Sequence, residues 1–227
     1  MLILVFDTET TGLPKTKIIN KDVLHLWPYI VQFSYIIFDT ELKTLIKMKD
    51  CIIRIPDFIN ISEDNSKIHG ITNDISFSKG VNIVDILNEF FVDFSGVDYI
   101  VGHNVSFDLN MIRAELHRII DDANYIEHIS KFQMHLTTIN TLKNIYCTMK
   151  ESIDLCAIKT KDKFGRYYNK FPKLIELYQK LFGITPNNLH NSLNDVIVCL
   201  RCFMKLKYDT DIVEYSEDVK RLIKEYL

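Results

Sequence analysis

The sequence predicts an α/β protein, a mixed sheet with helices on both faces, from three observations. The chain opens on LILVF, a short apolar run that reads as a buried strand. Two more strand-like runs follow it, after which strand and helix patterns alternate. Directly after LILVF come two acids, Asp7 and Glu9, at the kind of strand end where an α/β sheet collects ligands.

The elements follow in order. YIVQFSYIIF (Tyr29 to Phe38) is a second strand, and TLIKMKDCIIRI is a third whose alternation implies one exposed face. Three strands in succession suggest an antiparallel start to the sheet. Between the first two, LPKTKIINKDVLHLWP is polar and broken by two prolines, and reads as a loop bordering the site. Ser62 as cap and Gly70 as stop bracket a short helix in ISEDNSKIHG. NIVDILNEFF spaces Ile83, Ile86, Leu87 and Phe90 as a helix over roughly 81–92. VDYIVGHN is a short strand entering a turn, and FDLNMIRAELHRII a long helix.

From about Asp121 to Lys150 no pattern dominates. ESIDLCAIK suggests a short helix, and PKLIELYQKLFG has proline early and glycine late, the marks of both helix ends. HNSLNDVIVCLRCFMKLK is a long apolar helix. Ile212, Tyr215, Val219, Leu222 and Tyr226 form the stripe of one last helix packing on the body or on a second copy. With no repeat and no linker, residues 1–227 read as a single domain.

Composition bounds the class. Apolar residues at 47% and charged residues at 25% describe an ordinary soluble protein. A net charge of -3 gives no global case for nucleic acid, yet leaves room for a local basic path. No run is long and apolar enough for a membrane span, and a strand beginning at Leu2 leaves no signal peptide. Five scattered cysteines suit an intracellular, reducing compartment, cytoplasm or nucleus. Cys199 and Cys202 imitate a zinc spacing, but inside VIVCLRCFMKL they read as buried thiols.

The chemistry lies in the carboxylates. Side chains at i and i+2 of a strand share a face, so Asp7 and Glu9 stand side by side. Unpaired acids are costly there, and a cation removes the cost. Asp108 lies where a strand gives way to a helix, and Asp195 near the start of another. A helix start favours the ionised carboxylate, although either acid could serve only its helix. Four oxygen donors without a cysteine or histidine cluster suit Mg²⁺ or Mn²⁺. Two such ions about 4 Å apart can clamp a phosphodiester. His190 precedes Asp195 by five residues, an offset of about 140° on a helix, so it belongs in the loop or first irregular turn. From there it can take a proton from an attacking water at neutral pH.

These residues resemble the DEDD-type 3′–5′ exonucleases with a catalytic histidine (DEDDh), which share a ribonuclease-H-like fold. The three motifs are FDTETTG with Asp7 and Glu9, GHNVSFD with Asp108, and HNSLND with His190 and Asp195. IHGIT and CTMKESIDLC are similar to segments of the proofreading exonuclease subunit of bacterial replicative polymerases. The resemblance implies two Mg²⁺ or Mn²⁺ ions on the four acids, His190 as general base, and release of 5′ nucleoside monophosphates from a 3′ end. It also implies that Thr10, Thr11, Gly12 and Leu13 meet the terminal sugar and bases, and that Asn104 and Phe107 neighbour the last nucleotides.

Single-stranded or frayed DNA 3′ ends, in proofreading or repair, are the expected substrate. An exoribonuclease trimming or degrading RNA carries the same motifs and is the nearest alternative. A catalytically silent nucleic-acid or polymerase-binding module is the reading from another class. A polymerase partner and a homodimer both remain open. KTKDKFGRYYNKFPK sets six cations against one acid, with four aromatic residues interleaved. That pattern suits a solvated loop, a nucleic-acid contact or a protein contact.

Overall fold

Strand β1 (Leu2–Thr10) is the axis of the fold, and its C-terminal half carries Asp7 and Glu9. The computed structural model describes residues 1–142, 144–187 and 189–227. β2 (Ile30–Asp39) and β3 (Thr44–Ile52) add to one side of β1 as an antiparallel ladder. β4 (Tyr99–Gly102) and β5 (Ile145–Cys147) add to the other side in parallel. The five-stranded order is β3-β2-β1-β4-β5, so the expected antiparallel start and mixed sheet are both present.

Helices cover both faces, as expected. On one face Leu4 and Phe6 of β1 and Phe33 and Tyr35 of β2 pack with α3 (Ile83–Phe94) and α4 (Val105–Asp121). Phe90 sits among these rings, 5.0 Å from Phe33 and 5.5 Å from both Phe6 and Tyr35. On the other face Ile3 and Val5 pack with Val196, Ile197, Leu200 and Phe203 of α9 (Ser192–Tyr208). Two faces buried over a continuous run explain why LILVF does not alternate.

Several boundaries differ from the sequence pattern, each for a physical reason. β1 continues through both acids to Thr10, because β2 offers Phe33 and Gln32 as ladder partners to Thr8 and Glu9. The loop after β1 holds a 3₁₀ turn at Lys21–Leu26, capped by Asn20. α1 (Glu63–His69) has the expected ends, Ser62 and a left-handed Gly70. α2 (Asn73–Lys79), capped by Thr72, was not legible. The ambiguous middle contains a 3₁₀ turn (Ala123–His128) and α5 (Ile129–Asn140), then β5. Lys143 of that stretch lies outside the described residues.

ESIDLCAIK and its approach form two single turns, α6 (Thr148–Glu151) and α7 (Ile153–Cys156). The basic segment is an antiparallel hairpin, β6 (Lys159–Lys161) and β7 (Tyr167–Asn169), separate from the main sheet. α8 (Leu174–Phe182) ends at Gly183, as the sequence suggests. The terminal stripe is divided between a 3₁₀ turn (Ile212–Glu214) and α10 (Glu217–Tyr226). Buried Ser216 caps α10 and forces the break. Ile212, Val219 and Leu222 are buried against the α9 face of the sheet. Cys199 and Cys202 are buried on α9. No helix among the described residues is long and apolar enough to cross a membrane.

Candidate active site

Asp7 and Glu9 share the α9 face of β1 with Ile3 and Val5, as strand alternation requires. Their cross-strand neighbours on β2 are Ser34 and Gln32. Both neighbours seat the first turn of α9. Gln32 Oε1 accepts the Ser192 N–H at 3.2 Å, and the Ser34 and Ser192 hydroxyls share a short hydrogen bond. Asp50, opposite Ser34 on β3, accepts from Ser34 Oγ at 2.7 Å and Gln32 Nε2 at 2.8 Å. A row of side chains from β3 to α9 thereby fixes where the helix begins, and with it the position of Asp195.

The result is a three-carboxylate group. Asp7, Glu9 and Asp195 each offer an oxygen within 4.8 Å of the others. Asp195 Oδ2 accepts the His190 backbone N–H at 3.3 Å, whereas its buried Oδ1 has no hydrogen-bond partner among the described residues. His190 is exposed, has φ of 69° and lies before the helix, where its five-residue offset required it to be.

Asp108 reaches the group from behind. β4 pairs with β1 only as far as Val5 and Val101, so the N–H of Thr8, past the end of β4, is free for another acceptor. Asp108 on the first turn of α4 supplies it. Its Oδ1 takes the Thr8 N–H at 3.0 Å and the Thr8 hydroxyl at 2.7 Å. Of the four oxygen donors that the sequence offers, Asp7, Glu9 and Asp195 form the three-acid group, and Asp108 has its Oδ1 held by Thr8.

Crowding decides the electrostatics. Desolvation, reinforced by the neighbouring acids, raises Asp7 well above the carboxylate range and Glu9 to about 8. Desolvation pushes Asp108 to about 7 against the pull of the Thr8 bonds, and Asp195 to about 7 against its bond from His190. Oxygen-only donors, mutual repulsion and an orphaned Asp195 Oδ1 together fit a hard divalent cation. The residues can hold such an ion at the Asp7, Glu9 and Asp195 group.

A family model described as exonuclease matches residues 4–203. The chain belongs to the exonuclease family. It is a DEDD-type member of the ribonuclease-H-like superfamily, as the three motifs implied. The chain is 28% identical over 166 residues to DNA polymerase III subunit epsilon of Buchnera aphidicola subsp. Schizaphis graminum (strain Sg), covering 71% of this chain and 64% of that protein. It also resembles solved structures of E. coli exonuclease I. With a dA16 oligonucleotide bound, that enzyme is 17% identical at TM-score 0.56, over 99% of this chain and 42% of the other. With a 5cy-dT13 oligonucleotide bound, it is 18% identical at TM-score 0.59, over 94% and 42%. At this identity the structural likeness shows the fold. The chain spans less than two thirds of the length of these relatives.

The remaining sequence-predicted residues fall on two segments, the strip that ends β1 and the start of α4. Thr10 is buried, with its hydroxyl donating to Gly12 O at 2.7 Å. Thr11 exchanges bonds with Tyr29, and its carbonyl accepts from Asn65 Nδ2 at 2.6 Å. Gly12 has φ of 152°, a region glycine favours. Leu13 stands out of the surface, 79% exposed. Asn104 has φ of 66° at the start of α4, and Phe107 is half-buried one turn before the helix core. A register shift after Glu9 turns this strip away from the ladder.

Sequence reasoning missed four supports of the candidate site: Thr8, the Gln32–Ser34–Asp50 row, His69 and His103. Buried His69 lies beside Thr10 and explains IHGIT, which supports the Thr10–Leu13 strip. His103 donates from Nε2 to Pro172 O at 3.0 Å, leaving Nδ1 to accept from Thr148 Oγ1 at 3.0 Å. Desolvation lowers His103 to about 4, which keeps it neutral for that arrangement. The one sequence signal was the place of these histidines inside GHN and IHG.

Proposed function

We propose that this protein removes nucleotides one at a time from the 3′ end of single-stranded or frayed DNA, releasing 5′ nucleoside monophosphates. The observation that carries the reading is the convergence of Asp7, Glu9 and Asp195 within 4.8 Å, with His190 bonded to the third acid through its backbone. DNA is favoured over RNA because the relatives named above include a DNA polymerase subunit and an enzyme solved with dA16.

Asp7, Glu9 and Asp195, with Asp108 behind them, are the residues that would hold two Mg²⁺ or Mn²⁺ ions. Bound there, the ions would lower the pKa of the attacking water and offset charge gathering on the phosphate. The imidazole of His190, exposed above Asp195, takes the proton from that water. The bond from its N–H to Asp195 Oδ2 ties the loop to the helix start and limits how far the ring can swing. Thr10 to Leu13 receive the terminal sugar, and Leu13 is free to wedge between end bases. Asn104 and Phe107 border the last nucleotides, where stacking tolerates any base. A replicative polymerase is the proposed partner, supported by the named relative, and an intracellular, reducing compartment goes with that role.

The test is turnover of matched 5′-labelled DNA and RNA strands with Mg²⁺, Mn²⁺ or EDTA. A metal-dependent ladder on DNA, with slower RNA turnover, is the expected result. Faster RNA turnover would reassign the substrate, and silence on both strands would leave a binding module.

A further inference from the structure

The hairpin β6–β7 is a feature that the proposed chemistry does not use. Its pairing sets Lys159 against Asn169, Thr160 against Tyr168 and Lys161 against Tyr167. Cross-strand partners point to the same side of a ladder, so Lys159, Lys161 and Tyr167 share one face. Phe164, Tyr167, Tyr168 and Phe171 are 50–70% exposed, far more than structural aromatic residues need to be.

The segment is ordered from within. Asp162 is its one acid, and it is consumed by the turn, accepting the N–H groups of Phe164 and Arg166 and pairing with Arg166 Nε at 2.8 Å. Lys170 is neutralised by Glu176 at 2.6 Å. Among the described residues Lys159, Lys161 and Lys163 form no salt bridge. Three cations instead lie over the hairpin's own rings. Lys161 is 4.9 Å from the Tyr167 centroid, while Lys163 and Arg166 are 5.0 and 5.3 Å from that of Phe164. Charge and stacking surface are thus presented together.

Its position links it to the acids. Pro172 O, just past the foot of β7, accepts from His103, and His103 adjoins Asn104 and the first turn of α4 that carries Asp108. The foot of the hairpin is thereby tied to the start of the helix that carries Asp108. We infer that the Lys159–Phe171 hairpin is a rail for the single strand upstream of the scissile end, its lysines on phosphates and its rings on bases. This rests on the exonuclease reading for the direction of the strand. Lysine is depleted in protein interfaces and is the usual partner of a polyphosphate, which favours nucleic acid over a docking protein.

The test replaces Lys159, Lys161 and Lys163 together by serine and, in a second variant, Phe164 and Tyr167 by alanine. Binding is read by anisotropy of a 5′-labelled dT strand of about 12 nucleotides, a length within the range of single-strand sites, with Ca²⁺ present and across a salt series. Turnover of the p-nitrophenyl ester of thymidine 5′-phosphate, which reaches only the acids, is measured alongside. The triple serine variant should bind roughly 10-fold more weakly and flatten the salt slope by about two, at ~0.7 per phosphate contact on a single strand. The alanine pair should lose roughly 10-fold with an unchanged slope. Both should turn over the small ester at the parental rate. Parental affinity and slope in both variants would overturn the rail and move the hairpin to a protein partner. If the parent, given Mg²⁺, hydrolyses neither the ester nor the labelled dT strand, the exonuclease reading fails, while the anisotropy still decides the rail.

Discussion

Asp108 and Thr8 tie α4 to β1 at the site, one carboxylate oxygen taking both the backbone and the hydroxyl donor of one threonine. The pair spans 100 residues of sequence and joins β1 to α4 where β4 has ended. Replacing Thr8 by valine keeps the shape and the N–H bond but removes the hydroxyl. A charge-assisted hydrogen bond of this kind is worth about 1–3 kcal/mol, and Thr8 is buried. Thr8→Val should lose stability in that range by urea unfolding. The Asp108 carboxyl should also rise further in pKa, shifting the acidic limb of the pH profile upward. An unchanged limb would mean that the hydroxyl bond does not hold Asp108 in the active form.

The crowded acids make a prediction about stability and pH. All four have folded-state pKa values above their ordinary range, Asp108 and Asp195 near 7 and Glu9 near 8. Between roughly pH 4 and 8 the metal-free fold therefore binds more protons than the unfolded chain, and its stability falls as pH rises through that window. The protons leave as properties of the cluster and not of single acids. A divalent cation competes with those protons and binds only the folded arrangement. In EDTA the melting temperature should drop from pH 6 to pH 8, and added Mg²⁺ should raise it more at pH 8 than at pH 6. An equal rise at both values would contradict binding at this cluster.

Asp7→Asn separates function from stability. It removes one charge from a group whose members repel each other, and it changes little volume. In EDTA at pH 8 the variant should be at least as stable as the parent by thermal melting. Turnover in Mg²⁺ should fall by 10²-fold or more, at about 1.4 kcal/mol of barrier per tenfold. A variant that melts lower and still cuts at the parental rate would assign Asp7 a structural role.

The first motif was legible because acids at a buried strand end are costly, so their presence asks for a reason. Acids at helix starts are favoured there, and Asp108 and Asp195 were legible only through their motifs. The sheet order was legible in part, from the sequence of patterns. Their supports were not. Thr8 is an ordinary strand residue, and its partner lies 100 positions away. Ser34 and Ser192 lie 158 apart, and neither has a local pattern that would mark it. The 129–140 helix escaped notice because the buried face of α5 mixes His135 with Phe132 and Ile139 and breaks the apolar period. The terminal stripe kept helical spacing across a break, since Ser216 caps a new helix without disturbing which side chains face the core.

His190 carries the last prediction. It lies outside the helix with φ of 69°, is exposed, and is bound to Asp195 only through its backbone. Truncating the ring therefore leaves the Asp195 bond, the three-acid group and the helix cap at Asn191 in place. His190→Ala should bind Mn²⁺ with parental affinity by calorimetry and melt at the parental temperature. Its turnover should fall by about 10²–10⁴-fold, the usual weight of a positioned general base. The residual rate should rise steadily with pH, because hydroxide replaces the missing base, where the parent levels off. A parental rate with a parental plateau would remove His190 from the proton transfer, and weakened Mn²⁺ binding would make it a positioning residue for Asp195.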